Sequence, residues 1–175
     1  DLWDHGDIDE VRRECRAQIE RAILWGFDVS HLTSHLGALE SRPEFFDVLV
    51  DLAVEFGLPV RLPDASAERA VGFPFRRLAA DERLVVPDQV VTVAPGEGSR
   101  RVVERAVHDL PTGVTELQFR PAVDAPEQRA FDESWSHRVD DHHLLCFDRE
   151  LPMLLERAGV ERIGYRPLRA LQRAS

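Results

Sequence analysis

Apolar residues recur at helical spacing through Ile8, Val11, Cys15, Ile19, Ala22 and Ile23 and stop at Gly26, which predicts a helix from about Ile8 to Trp25. Asp7, with Glu10 three residues later, supplies a capping-box-like start. The short apolar run from Val29 to Thr33 then reads as a buried strand. Pro43 opens a second helix, whose stripe of Phe45, Phe46, Leu49, Leu52, Ala53 and Phe56 ends at Gly57. Leu58 to Leu62 is the next strand. From Pro63 to Leu84 periodicity is lost, which predicts a long loop with short helical pieces, the kind of loop that usually carries function.

Val90 to Val93 is a β-branched strand, and Ser99 caps a helix whose Val102, Val103, Ala106, Val107 and Leu110 face inward. Pro111-Thr112-Gly113 turns the chain into the strand Val114 to Phe119. The polar stretch from Asp124 to His143 holds one or two helices. Asp148 caps a further helix reaching Ala158 and ended by Gly159, and Val160 to Tyr165 reads as a last strand. Strand and helix alternate throughout, the order of an α/β fold with a mostly parallel sheet or barrel.

At 175 residues the chain is read as a single domain, 1–175, long enough to bury a core. Lys+Arg 22 against Asp+Glu 32 gives a net charge of -10, which argues against a nucleic-acid partner or an anionic membrane surface. Every basic residue is Arg. Cys15 and Cys146 are too few and too far apart for a disulfide framework, so a reducing, cytoplasmic setting is expected. No apolar run approaches the ~20 residues of a membrane helix. The chain starts at Asp1 without an initiator Met and reads as part of something longer.

Candidate chemistry gathers at strand exits. His31 and His35, four residues apart, bracket the end of the first strand, where both imidazoles could meet one metal or substrate and where α/β folds place their active groups. Leu32-Thr33 stands where a helical zinc protease would carry its Glu, so that signature is absent. Phe119 and Arg120 leave the strand from Val114, and an Arg there suits a carboxylate or an oxyanion. Gly96-Glu97-Gly98-Ser99 lacks the ending of a phosphate-binding loop and reads as a turn with a cap. His137 to His143 is rich in ligand-type side chains, but its charged neighbours predict a solvated helix.

Three passages in this order resemble the YdjC/ChbG-type carbohydrate deacetylases. They are His31-Leu32-Thr33-Ser34-His35, Val114 to Ala122, and Glu156 to Arg166. The resemblance implies an irregular (β/α) barrel whose N-terminal strands lie outside this chain, which would be the C-terminal part of such a domain. It implies a metal-dependent hydrolase that removes the acetyl group from an N-acetylated sugar or oligosaccharide, with magnesium or zinc as the divalent metal and His35 as one ligand. Arg120 takes the catalytic position beside the acyl oxygen, and His31, Thr33 and Phe119 take substrate-binding or supporting positions. A homodimer is compatible with this reading.

Two residues depart from the family pattern. Thr33 replaces an Asp that would orient His35. Arg120 replaces a His, and a guanidinium can stabilise an oxyanion but cannot deliver a proton. The rival reading is therefore a divergent, non-catalytic member that binds carbohydrate or a partner.

Overall fold

The computed structural model describes residues 5–174, which fall in two compact units. One comprises Asp1–Pro87 together with Ile163–Ser175; the other is Asp88–Arg162. The first unit is therefore discontinuous in sequence, with the whole of the second inserted before its last segment.

In the discontinuous unit, α1 (Ile8–Leu24) begins as expected, with the Asp7 carboxylate accepting the Glu10 N–H at 3.0 Å. β1 (Leu32–Thr33) runs parallel to β2 (Val60–Arg61), pairing Leu32 with Val60 and Thr33 with Arg61. Between them lies α2 (Pro43–Phe56), closed by Gly57 in the left-handed conformation at φ 60. This helix is buried on two sides. Phe46, Leu49, Val50 and Ala53 pack with Val60, Leu62, Phe75, Ala79 and Leu84, while Val48 and Leu52 pack with Ile19 and Leu58.

Each of the two large rings in that first cluster, Phe46 and Phe75, gains about 2–3 kcal/mol from leaving water. The segment expected as a loop thus supplies part of the core through α3 (Glu68–Val71) and α4 (Phe75–Asp81).

The expected last strand, Val160 to Tyr165, is not formed. Residues 160–164 form neither helix nor strand, and α9 (Tyr165–Ala174) follows. Val160 and Ile163 are spaced by three, not by the alternation a strand requires. Pro167 is tolerated in the first turn of α9, where amide groups lack helical partners anyway. The helix is tied by side chains to the front of its unit. Arg166 Nε and Arg169 Nη1 donate to the Asp28 carboxylate at 2.6 and 2.5 Å, which holds Asp28 below the ordinary carboxylate range. Gln172 Oε1 accepts the Val85 N–H at 2.6 Å.

The inserted unit holds β3 (Gln89–Thr92) and β4 (Thr115–Gln118), parallel across four residue pairs and joined through α5 (Ser99–His108). At the entry to β4 the Asp88 carboxylate accepts the Val114 N–H at 2.7 Å. A Cβ on Gly113 would lie 2.4 Å from that same oxygen, so the turn requires glycine. The unit continues through α6 (Pro126–Phe131), α7 (Trp135–Phe147) and α8 (Glu150–Arg157). Asp148 accepts the Glu150 and Leu151 N–H groups, as its capping position predicts. Ser99 does not cap α5: Gly98 occupies the N-cap and Ser99 is the first helical residue.

The α/β class with parallel strands holds. Among the described residues the ladders join only β1 to β2 and β3 to β4, without closing a barrel. No helix among them is long and apolar enough to cross a membrane.

Candidate functional site

Chemistry-bearing side chains cluster at the C-terminal ends of β1 and β4, one place in each unit. Past β1 the chain enters a tight turn, His35–Gly37, in which Leu36 (φ 54) and Gly37 (φ 69) are both left-handed. A leucine in that region is strained by about 1–2 kcal/mol. The turn persists because its ends are held. Ser34 Oγ accepts the Leu39 N–H at 2.9 Å, and Glu40 closes the segment as a buried residue, 3% exposed. Burial pushes the Glu40 carboxyl above the ordinary carboxylate range, against a smaller opposing pull from Ser34, and its Oε2 is buried without a hydrogen-bond partner.

The turn contributes His35 to the lining of an open cavity of about 520 Å³. Val11, Ile19, Leu49 and Leu52 give it apolar walls, while Asp7 at the cap of α1 and Glu10 and Glu14 within it add carboxylates. Thr33 lines it too, and its Oγ1 accepts from Arg61 Nη1 at 3.4 Å. Cys15 also faces this space, and burial raises its thiol pKa, with Glu14 adding to the effect. The protonated thiol is a poor nucleophile.

His31 goes elsewhere. Its ring stacks on Tyr165, centroids 3.8 Å apart, and its Nδ1 lies 3.0 Å from Ser30 Oγ. The two imidazoles therefore occupy different surroundings and do not converge. His35 forms no side-chain hydrogen bond among the described residues. Nor do any three His, Cys, Asp or Glu side chains among them gather closely enough to hold a metal ion.

Past β4, Phe119 is half-buried and Arg120 is exposed. The Arg120 N–H donates to Asp141 Oδ2 at 2.9 Å, and Ser99 Oγ donates to Asp141 Oδ1 at 2.5 Å. Asp141 is wholly buried, and one turn earlier His137, 8% exposed, sets its Nε2 3.0 Å from the Val93 carbonyl oxygen. The expectation of a solvated helix over His137 to His143 is thus overturned for one face of α7. His137, Asp141 and Leu144 form a buried stripe at i, i+4 and i+7, a spacing that could have revealed it.

The sequence profile of the YdjC-like protein family matches residues 2–156. Two relatives named carbohydrate deacetylase align over most of the chain. The Thermoanaerobacter pseudethanolicus protein is 31% identical over 163 residues, covering 90% of this chain and 62% of its own length. The Thermus thermophilus protein is 31% identical over 162 residues, covering 89% and 59%. The chain thus spans about 60% of the length of these relatives.

Among solved structures, an Enterococcus faecalis protein described as a cellobiose-phosphate cleavage protein superposes with a TM-score of 0.76 at 20% identity, covering 93% of this chain and 61% of that one. That likeness concerns the fold. With its strand exits, its parallel ladders and a profile match across most of its length, the chain belongs to the YdjC-like protein family.

Proposed function

We propose that the chain forms part of a carbohydrate N-deacetylase, a hydrolase that splits the acetamide of an N-acetylated sugar or oligosaccharide into acetate and the free amine. The observation that carries this reading is the 31% identity over 163 residues to a protein named carbohydrate deacetylase. In it, the Arg120 guanidinium stabilises the negative charge that develops on the acyl oxygen when water attacks. It stays protonated throughout, so the proton for the leaving amine comes from another group. Phe119 offers an apolar ring to a sugar face. Thr33 supplies a hydroxyl to the cavity beside His35, and His31, held by Tyr165, supports the end of β1.

The family barrel is part of the proposal, with further strands and further ligands coming from outside the described residues. The side chains described do not by themselves fit a metal, so His35 contributes one ligand at most, and a divalent ion such as magnesium or zinc needs the rest from elsewhere. When bound, such an ion supplies Lewis acidity to the acyl oxygen and an activated water. The unpaired Cys15 and Cys146 accord with a cytoplasmic setting.

Acetate release from a panel of N-acetylated mono- and oligosaccharides tests the reading in the full-length parent. We expect turnover that falls by about 10²-fold in Arg120→Ala. Stoichiometric binding of magnesium or zinc should vanish in His35→Ala. The second reading, a non-catalytic carbohydrate-binding member, is favoured by Thr33, whose hydroxyl meets Arg61 where the family carries a carboxylate. Sugar binding indifferent to chelator, with no acetate released, selects it and rejects the enzyme.

A further inference from the structure

The strand exit that carries Arg120 is fixed with unusual completeness. Arg120 N–H is bound to Asp141, Pro121 has no N–H, and Ala122 N–H donates to the Arg138 carbonyl at 3.0 Å. Every backbone donor of the three residues therefore has a partner on α7 or needs none. Pro121 also restricts Arg120 to an extended backbone. Asp141 in turn is held by Ser99 at the start of α5, and His137 from the same stripe grips the end of β3 at Val93. One helix face thus clamps the C-terminal ends of both strands, β4 through a carboxylate with no exposed surface and β3 through the His137 ring.

A buried carboxylate carries a steep desolvation cost, which charge-assisted hydrogen bonds at both oxygens offset. Replacing the clamp by apolar side chains would serve stability as well or better. Its use lies in direction, because hydrogen bonds fix an angle where apolar contact fixes only a distance.

We propose that Asp141, seated on Ser99, is a positioning residue that sets the direction in which β4 launches the Arg120 guanidinium. The inference rests on the deacetylase reading for what Arg120 does, and on the geometry of the inserted unit alone for how it is held.

Amide hydrogen exchange at Arg120, read alongside acetate release, tests it. In the wild type the Arg120 N–H exchanges slowly. Asp141→Asn keeps it slow, because the Asn Oδ1 accepts that N–H while its amide group donates to Ser99 Oγ. Asp141→Leu speeds exchange at Arg120 by about 10–100-fold, the loss of one hydrogen bond to a charged acceptor, while the Val91 and Leu117 amides of the ladder keep their wild-type rates.

In the same order, kcat falls in Asp141→Leu with KM nearly unchanged and is rescued in Asp141→Asn, a split that a merely structural role would not give. Should Asp141→Leu fail to fold, Asp141→Ser, too short to reach the Arg120 amide, replaces it with the same expected outcome. Fast exchange at Arg120 in the wild type, or an unchanged kcat in the folded Leu or Ser variant, overturns the proposal. Absence of acetate release from every form, wild type included, rejects the deacetylase reading instead, and the exchange rates still decide the positioning.

Discussion

The two units stabilise their strand ends by different means. Among the described residues most of the buried apolar side chains lie in the discontinuous unit, many of them on or against α2, whereas Val93, Val102, Val103, Leu144 and Leu155 are those of the inserted one. Among the described residues the buried polar side chains divide the other way: Ser99, His137 and Asp141 are in the inserted unit and Glu40 is in the first. Around β1 the apolar core is large, but the exit turn is strained and closed by a carboxyl with one orphaned oxygen. Around β4 the apolar core is small and the backbone N–H groups of the exit, at Arg120 and Ala122, are both bonded to α7. A candidate site can thus be held by bulk packing that leaves its loop under strain, or by a directional network that leaves little slack.

The sharpest way to break this contrast is to strike the packing. Phe46→Ala should destabilise the discontinuous unit by about 3–5 kcal/mol, the range for an emptied aromatic site, as read in a urea melt. Amide protection of β3 and β4 should change little. Equal losses in both units would show that the division between them is not energetic.

Striking the network comes next. Ser99→Ala leaves one oxygen of the buried Asp141 unsatisfied and should cost about 1–3 kcal/mol, visible first as faster exchange within α5 and α7. A neutral outcome would mean that water replaces the hydroxyl and that the network is less closed than its geometry indicates.

Relieving the strained turn should do the reverse. Leu36 is 84% exposed, so Leu36→Gly gives up little packing. It removes about 1–2 kcal/mol of left-handed strain at an entropic cost of about 0.5–1, for a net gain near 0.5–1 kcal/mol. A lowered midpoint of unfolding would show that the Leu36 side chain has a partner of its own.

The finest test uses pH. Glu40 has its carboxyl raised from an ordinary value of 4.5, so the folded chain holds that proton more tightly than the unfolded one does. Its contribution is complete below pH 4.5 and is lost as pH rises through the folded value. Glu40→Gln should remove that slope from a plot of stability against pH. Asp28, lowered by its two arginines, works in the opposite sense: its contribution is present above its ordinary value of 3.8 and is lost as pH falls through the folded value.

How much of this was legible in the sequence follows from how local each cause is. The cap at Asp7, the stripe and glycine stop of α2, and four of the five expected strands depend on spacing within a few residues, and they stand with their ends trimmed or shifted by a residue. So does the placement of His35 just beyond a strand. The fifth strand failed because Val160 and Ile163 lack the alternation of a strand, and the helix that follows is held by Arg166, Arg169 and Gln172 reaching Asp28 and Val85, far away in sequence. The same holds for the site. His137 and Asp141 sit among so many charges that composition indicates solvent; the i, i+4, i+7 stripe they share with Leu144 is the local sign of burial, and their partners Ser99, Arg120 and Val93 lie up to 44 residues distant. Nothing local distinguishes Glu40 from any other surface acid.

Because Ile163 onward completes the first unit only after all of Asp88–Arg162 has been synthesised, a nascent chain leaving the ribosome carries an unfinished front half for the whole of that interval. Asp28, Val85 and the ring of His31 wait for partners that emerge after that interval. Truncation just before Tyr165 would remove the side chains that latch Asp28 and Val85, while the apolar clusters around α2, built from residues before 87, keep all their members.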